Sequence, residues 1–521
     1  MRMNGFKAVT GLPPVLILLC SPCKDNLLRL FPSSSPACIR TMPYVDLHSD
    51  DDYASIYYLT NTTFGNVGSF DPDKPTVILL HPFFLDSTWL DNQFGDPRLY
   101  KNYNMIAFDM RVCGRSSCRH SGRHDSWVEA ADLAFCHQIL HLPLCHVLAH
   151  DNISVNCALR FAFLFPDMCA SLTLCNAPAP TELKWVLTAF HELLQSWCFA
   201  TDLESFEHAG KEGARIIIGP DIDSDLLDEI MAYWQMHLPP SKRVRVLEQA
   251  NVALNRIPMK PEMLNAITQP VLIIHGDRCD VSPVKYAERL HSELSNSEGG
   301  ARLYPLKGAS GSLCTIQGNA SIANQVFAKF MSQLPRLRSD IIPPVTSIAE
   351  RMSVALDKLA EFTNDSSFRA RDPTSSLSFS CLTPDIVRSQ TESLALYSEN
   401  LENAYSPVGP NGRPYRSLTG NADTLRYSER KEQEHWFSGG TDGNSKTNNE
   451  HLGSFILQKH GKSDSESLAP SSEPASNDQV QQGRLRRATI TPAASVEKHV
   501  IKGSMAKVVG TNSTSIGRLL K

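Results

Sequence analysis

The sequence predicts an α/β protein: a mostly parallel sheet flanked by helices, carrying a helical cap and followed by a long disordered tail. Three observations predict it. Short apolar runs alternate with helical patterns from Tyr53 to Leu334, the signature of a parallel sheet covered on both faces. The alternation breaks once, between Thr181 and Pro270, where the chain reads as helix throughout and carries Trp185, Phe190, Trp197, Phe206, Tyr233 and Trp234. Near Leu334 the composition changes, and Ser, Asn, Asp, Glu, Lys and Gly take over. At 521 residues the chain exceeds one ordinary compact domain. The expected division is an N-terminal extension over 1–43, a sheet domain over 44–334 with its cap at about 181–270, and a mostly disordered tail over 335–521 that buries too little apolar surface to offset chain entropy.

The elements follow in order. Tyr53 to Thr60 reads as an early strand and Thr76 to Leu80 as a buried one, running into His81-Pro82-Phe83-Phe84. Met105 to Phe108 is the next strand and ends at Asp109. Ser126 to Leu140 has apolar residues at helical spacing, with Asp125 as its cap. His146 to Arg160 reads as a strand, a sharp turn and a helix that ends near Pro166. Ser171 to Cys175, Val271 to His275 and Ala301 to Tyr304 are later strands, with a helix from Pro283 to Leu294 between the last two. Phe327 to Leu334 closes the domain with a helical pattern. Beyond it, Ile348 to Phe362 is the one good helical stretch.

Net charge is −5 with no basic stripe, which argues against nucleic acid as a partner. The 14 cysteines are scattered, several within apolar runs, and read as buried free thiols rather than a disulfide framework. Cys20-x-x-Cys23 lacks a second ligand pair, so no metal and no cofactor is expected. Leu12 to Cys20 follows Arg2 and Lys7 like a short signal peptide, too short to span a bilayer. The acid-poor stretch to Arg40 equally suits a transit segment, or a dispensable leader with Met42 as the working start. No transmembrane segment is expected. The cytoplasm is the expected compartment, with secretion or mitochondrial import through residues 1–41 as the alternatives.

Four segments in order carry a family resemblance. Val77 to Phe84 resembles a strand and oxyanion turn of the H-G-x-x kind. Asp109-Met110-Arg111-Val112-Cys113-Gly114-Arg115-Ser116 resembles D-x-R-G-x-G-x-S. Ala149 to Ser154 stands where a nucleophile elbow, G-x-S-x-G, would lie. His275-Gly276-Asp277-Arg278-Cys279-Asp280-Val281-Ser282-Pro283 resembles H-G-x-x-D-x-x-x-P. Together they resemble the α/β-hydrolase fold over about residues 44–334, closest to the capped lipase, esterase and epoxide-hydrolase group.

The resemblance implies a nucleophile at the elbow, an acid after the seventh strand and a histidine after the eighth. Asp151 holds the nucleophile position and Asp280 the acid position. Counting back from Phe165-Pro166 puts Asn152 at the nucleophile instead, and Ser154 is a third candidate. Ala149 and Ile153 replace the elbow glycines, and a β-branched Ile is a steric problem at such a turn. Gly311 stands where the histidine is expected, and no His lies between His291 and His435. Pro82 lacks an amide proton, so the amides of Phe83 and Asn152 are the oxyanion candidates. The implied function is hydrolysis of a small apolar ester or epoxide, impaired because the triad histidine and the elbow glycines are missing. The alternative is a non-catalytic module for ligand sensing or protein interaction, with a regulatory tail that contacts a protein partner. Arg486-Arg487-Ala488-Thr489 and His435-Trp436-Phe437 are that tail's two notable segments.

Overall fold

The computed structural model describes residues 43–220 and 222–409. Both notable segments of the tail, and the N-terminal extension, lie outside the described residues.

A nine-stranded sheet organises the fold. β1 (Tyr44–His48) and β2 (Tyr53–Thr60) pair antiparallel. Next come β3 (Thr76–Leu80), the single-turn helices α1 (Asp91–Phe94) and α2 (Pro97–Tyr100), and β4 (Asn104–Phe108). The two-residue β5 (Ser117–Cys118) pairs with β2. Then α3 (Ser126–Ile139), β6 (Cys145–His150), α4 (Asp151–Leu164) and β7 (Cys169–Cys175) follow. With β8 (Val271–Gly276) and β9 (Arg302–Leu306) added, the order across the sheet is β1-β2-β4-β3-β6-β7-β8-β9, with β2 antiparallel to its neighbours and the rest parallel.

The central strands are apolar on both faces because both faces are covered. In β3, Ile78 and Leu80 join the larger core cluster with residues of α3 and α4. Val77 and Leu79 point the other way, into a second cluster with Phe327 and Phe330. Asp125 caps α3 as expected, accepting from the amides of Trp127 and Val128 at 2.9 and 3.0 Å.

Between β7 and β8 (Val271–Gly276) the chain inserts five helices: α5 (Lys184–Cys198), α6 (Leu203–Ile217), α7 (Ser224–His237), α8 (Arg243–Leu254) and α9 (Pro261–Asn265). This is the expected cap. Trp197 and Trp234 are fully buried within it, their ring centroids 4.6 Å apart. After β8 come α10 (Val284–Glu293), β9 (Arg302–Leu306) and α11 (Gln317–Met331). Helix α11 starts ten residues before the apolar pattern does, because its first turns hold Gly318, Asn319 and Ser321.

The boundary expected at Leu334 is corrected. Residues 335–409 are structured and pack on the sheet domain through α12 (Ile348–Thr363), α13 (Pro384–Ser398) and short 3-10 turns. Phe368, Phe379, Leu394 and Tyr397 are buried in the main core cluster. Polar anchors reinforce them: Asp125 Oδ2 accepts from the Cys381 amide at 2.9 Å, and Arg243 Nε donates to the Tyr397 carbonyl at 2.7 Å. Gly122 lets α13 approach, since a Cβ there would overlap Thr391 Oγ1 and lie 2.6 Å from the Val387 carbonyl. No described helix is long and apolar enough to cross a membrane.

Candidate functional site

The elbow residue is Asp151. It follows the last residue of β6 and has φ +65°, in the left-handed region that a non-glycine residue seldom adopts. No insertion displaces it. Asn152 is the next residue along α4, and Ser154 is buried in the helix, its hydroxyl donating to the His81 carbonyl. Ala149 is fully buried at the end of β6, and Ile153 is 5% exposed in the main core. The glycines are therefore not needed here: apolar packing fills both positions.

Asp151 lines a cavity between the sheet and the cap, with about 570 Å³ of empty space including its opening to solvent. Phe83, Asn152, Asn176, Val186, Phe190, Ile217 and Gly311 are among its walls. The volume open to the centre of a water molecule is only about 50 Å³, so the cavity is narrow as it stands. Both oxyanion candidates, Phe83 and Asn152, border it. The amide of Asn152 lies in the first turn of α4 and has no intrahelical partner.

One carboxylate oxygen of Asp151 accepts from Asn176 Nδ2 at 3.1 Å; the other is buried without a hydrogen-bond partner. Burial outweighs the single bond from Asn176 and raises the acid to about 7. Asn176 joins three parts of the site. Its Nδ2 also donates to the Gly311 carbonyl at 2.9 Å, and its Oδ1 accepts from the Gly276 amide at 3.0 Å. Nothing in the sequence singles it out, because a lone Asn after a strand reads as a turn residue. Glu182, another wall of the cavity, is ion-paired with Arg256 at 2.6 Å and accepts from Asn152 Nδ2 at 3.3 Å.

The loop after β9 has no room for a histidine. A Cβ on Gly311 would fall inside the van der Waals radius of the Ile218 carbonyl oxygen and 3.0 Å from the Gly219 amide nitrogen. The Ser312 amide donates to that same carbonyl at 2.9 Å. Gly219, at φ +127°, lets the end of α6 lie against the loop. Cap backbone thus occupies the space a side chain at 311 would need.

Asp280 does not line the cavity. It is exposed in the turn after β8, and the cavity is lined by its neighbours Cys279, Val281 and Ser282 instead. No described histidine is hydrogen-bonded to it. The His275 ring bonds the Ser282 carbonyl, and the His291 ring bonds that of Ala301. His81 Nε2 accepts from the Met110 amide at 3.1 Å, so its Nδ1 carries the proton toward the Pro82 carbonyl at 2.9 Å. His150 is buried with neither ring nitrogen partnered, and burial lowers it to about 3.

The D-M-R-V-C-G-R-S segment is structural. Asp109 accepts from the amides of Ser87 and Arg115 at 2.9 and 2.7 Å. Gly114, at φ +47°, is required because a Cβ would overlap the Asp109 carboxylate. Buried Arg111 pairs with Asp52 and Asp132 at 2.8 and 2.7 Å. The cap grips this loop. Arg245 donates to the carbonyls of Val112, Gly114 and Ser116, and Gln249 donates to that of Val112.

No protein-family model matches the sequence, and no curated protein matches it. Solved structures similar to the chain include an enol-lactonase from Burkholderia xenovorans LB400, 15% identical, with a TM-score of 0.44, covering 56% of this chain and 100% of its own. An esterase from Thermogutta terrifontis is 17% identical with a TM-score of 0.44, covering 56% of this chain and 98% of its own. A bromoperoxidase from Bacillus anthracis is 16% identical with a TM-score of 0.43, covering 56% of this chain and 99% of its own. The mostly parallel sheet, the left-handed residue between β6 and α4, and the helical insertion between β7 and β8 give the chain the architecture of the α/β-hydrolase fold.

Proposed function

We propose that the cavity beside Asp151 binds a small apolar molecule bearing one carbonyl or ether oxygen, and that the domain does not turn it over. The reading is carried by the Ile218 carbonyl, which fills the space of a side chain at position 311. A triad needs a base there, and losing it typically costs several orders of magnitude in rate. Asp280 is exposed, lies outside the cavity walls and has no described histidine hydrogen-bonded to it. An ester formed on Asp151 would stand with no group to activate water against it.

The same residues suit binding. The walls are mostly apolar, and among them the free oxygen of Asp151 is a buried polar atom without a hydrogen-bond partner. Below about pH 7 that acid is neutral and can donate to a ligand's oxygen. The amides of Phe83 and Asn152 are two further donors. We assign the protein to the cytoplasm, because the described cysteines are free thiols, most of them buried.

The test pairs turnover with binding. Short acyl esters and simple epoxides should show no hydrolysis above that of Asp151→Ala, while a short alkyl ketone should bind saturably by calorimetry and lose at least tenfold in affinity in Asp151→Ala. Turnover lost on Asp151→Ala and Asp280→Ala but kept in a surface control would overturn the reading in favour of an active hydrolase. Ketones that bind the variant as well as the parent would overturn the assignment of the site.

A further inference from the structure

On the far side of α8 from the cavity, three unlike donors converge. Cys118 ends the edge strand β5, His120 follows two residues later, and Glu248 projects from α8, 128 positions beyond His120. Their ligand atoms, one thiol, one imidazole nitrogen and one carboxylate oxygen, all lie within 4.8 Å of one another. His120 Nδ1 is 2.5 Å from Glu248 Oε2. A fourth group stands behind them. His124 is 1% exposed, and its Nδ1 lies 3.3 Å from Glu248 Oε1, while its Nε2 lies 3.6 Å from Glu129 Oε1. Neither contact has hydrogen-bond alignment, so each buried ring nitrogen has a carboxylate in ion-pair range but no hydrogen bond. The local sequence is Cys118-x-His120-x-x-x-His124, a spacing that does not reveal the site because its acidic member is so distant.

We propose that Cys118, His120 and Glu248 form a zinc site that fastens the cap helix α8 to the β5 arm, with the fourth position open to water. Sulfur, nitrogen and oxygen donors together suit zinc, at about 2.3 Å to sulfur and about 2.0–2.2 Å to nitrogen or oxygen. Tetrahedral geometry at those lengths puts donors roughly 3.3–3.7 Å apart. His120 is exposed and free to swing back from Glu248 by that much. The other oxygen of Glu248 is held by the Ser121 amide at 3.4 Å and faces His124. His124 is therefore a positioning residue: turning its ring toward Oε1 fixes the carboxylate with Oε2 toward the metal. The charge also fits. Glu129 and Glu248 are both buried, and the ion pairs they make here are with imidazoles. Zinc entry would expel the Cys118 thiol proton to solvent, leaving thiolate, carboxylate and neutral imidazole around a divalent ion.

The experiment uses the full chain, stripped with a chelator and titrated with zinc or cobalt alone. Expected are about one zinc per chain after desalting, and a thiolate-to-cobalt charge-transfer absorption in the cobalt form. Cys118→Ser should abolish that absorption and weaken zinc at least 100-fold. His124→Gln should weaken it by about 10- to 100-fold while keeping the absorption, as a group acting through Glu248 would. Glu248→Gln should match Cys118→Ser; if it fails to fold, Cys118→Ser still decides, since Cys118 is only half-buried on a two-residue strand. Cys20→Ser/Cys23→Ser should bind zinc like the parent. Zinc binding unchanged in Cys118→Ser, no cobalt–thiolate absorption, or zinc lost only with Cys20 and Cys23 would each overturn the site and leave a proton-held His–Glu cluster.

Discussion

The two ends of the cavity differ in what sets their geometry. At the elbow, Asp151 holds a left-handed backbone between β6 and α4 although no glycine flanks it. At the loop after β9, the space that a side chain would need has been taken by the cap. A strained φ is imposed by the elements on either side, so it outlasts changes in the residues that adopt it. A side-chain site has no such support. Interiors are close-packed, and the space beside a glycine is filled by whatever lies nearest. Here the filler is the backbone from Ile217 to Gly219, tied down by the Ser312 amide.

The sharpest way to break that comparison is Gly311→His. The new side chain must displace the Ile218 carbonyl, so a loss of about 3 kcal/mol or more is expected in urea unfolding, with no gain in esterase rate. An unchanged unfolding midpoint would show that the loop and the cap part easily.

Asp151→Asn probes the other end. The acid is raised from an ordinary carboxyl value near 3.8 to about 7 by burial, so the folded state holds a proton that the unfolded chain has released. Stability contributed this way is present at low pH and is lost as pH rises through about 7. At pH 8 the Asn variant should be the more stable by roughly 2–4 kcal/mol, and at pH 4 the two should nearly match. Equal stability at both pH values would mean that Asp151 is better solvated than its burial implies.

Two smaller effects lie away from the cavity and sharpen the comparison as controls. Gly122→Ala should loosen α13 at a cost of about 2 kcal/mol, read as faster amide exchange over 384–398 with Asp151 unaffected. Asp125→Ala removes a cap and the acceptor for the Cys381 amide, and should cost about 1–2 kcal/mol. Either variant changing ligand affinity at the cavity would tie the C-terminal helices to the site.

The sheet was legible because its central strands are buried on both faces and therefore read as unbroken apolar runs, as in Val77 to Leu80. Asp125 was legible because a cap is a local device. The cap helices were legible from their aromatics. The elbow's location could be read, but not which of Asp151, Asn152 and Ser154 occupies it, since a backbone angle leaves no mark on residue type. The ordered stretch from 335 to 409 was hidden by averaging: a few anchors such as Phe379 and Tyr397 do not shift the composition of a polar tail. Asn176 and the closure at Ile218 depend on contacts between distant segments, which no spacing encodes.

The grip of Arg245 and Gln249 on the carbonyls of residues 112–116 has a kinetic consequence. Opening the cap at α8 would strip several buried or part-buried hydrogen bonds at once, whereas letting Gly219 drift from Gly311 strips one. Traffic into the cavity should then pass by the end of α6, on the timescale of a local fluctuation. How long a guest stays would be governed by that single backbone bond, and how tightly it is held by the walls around Asp151.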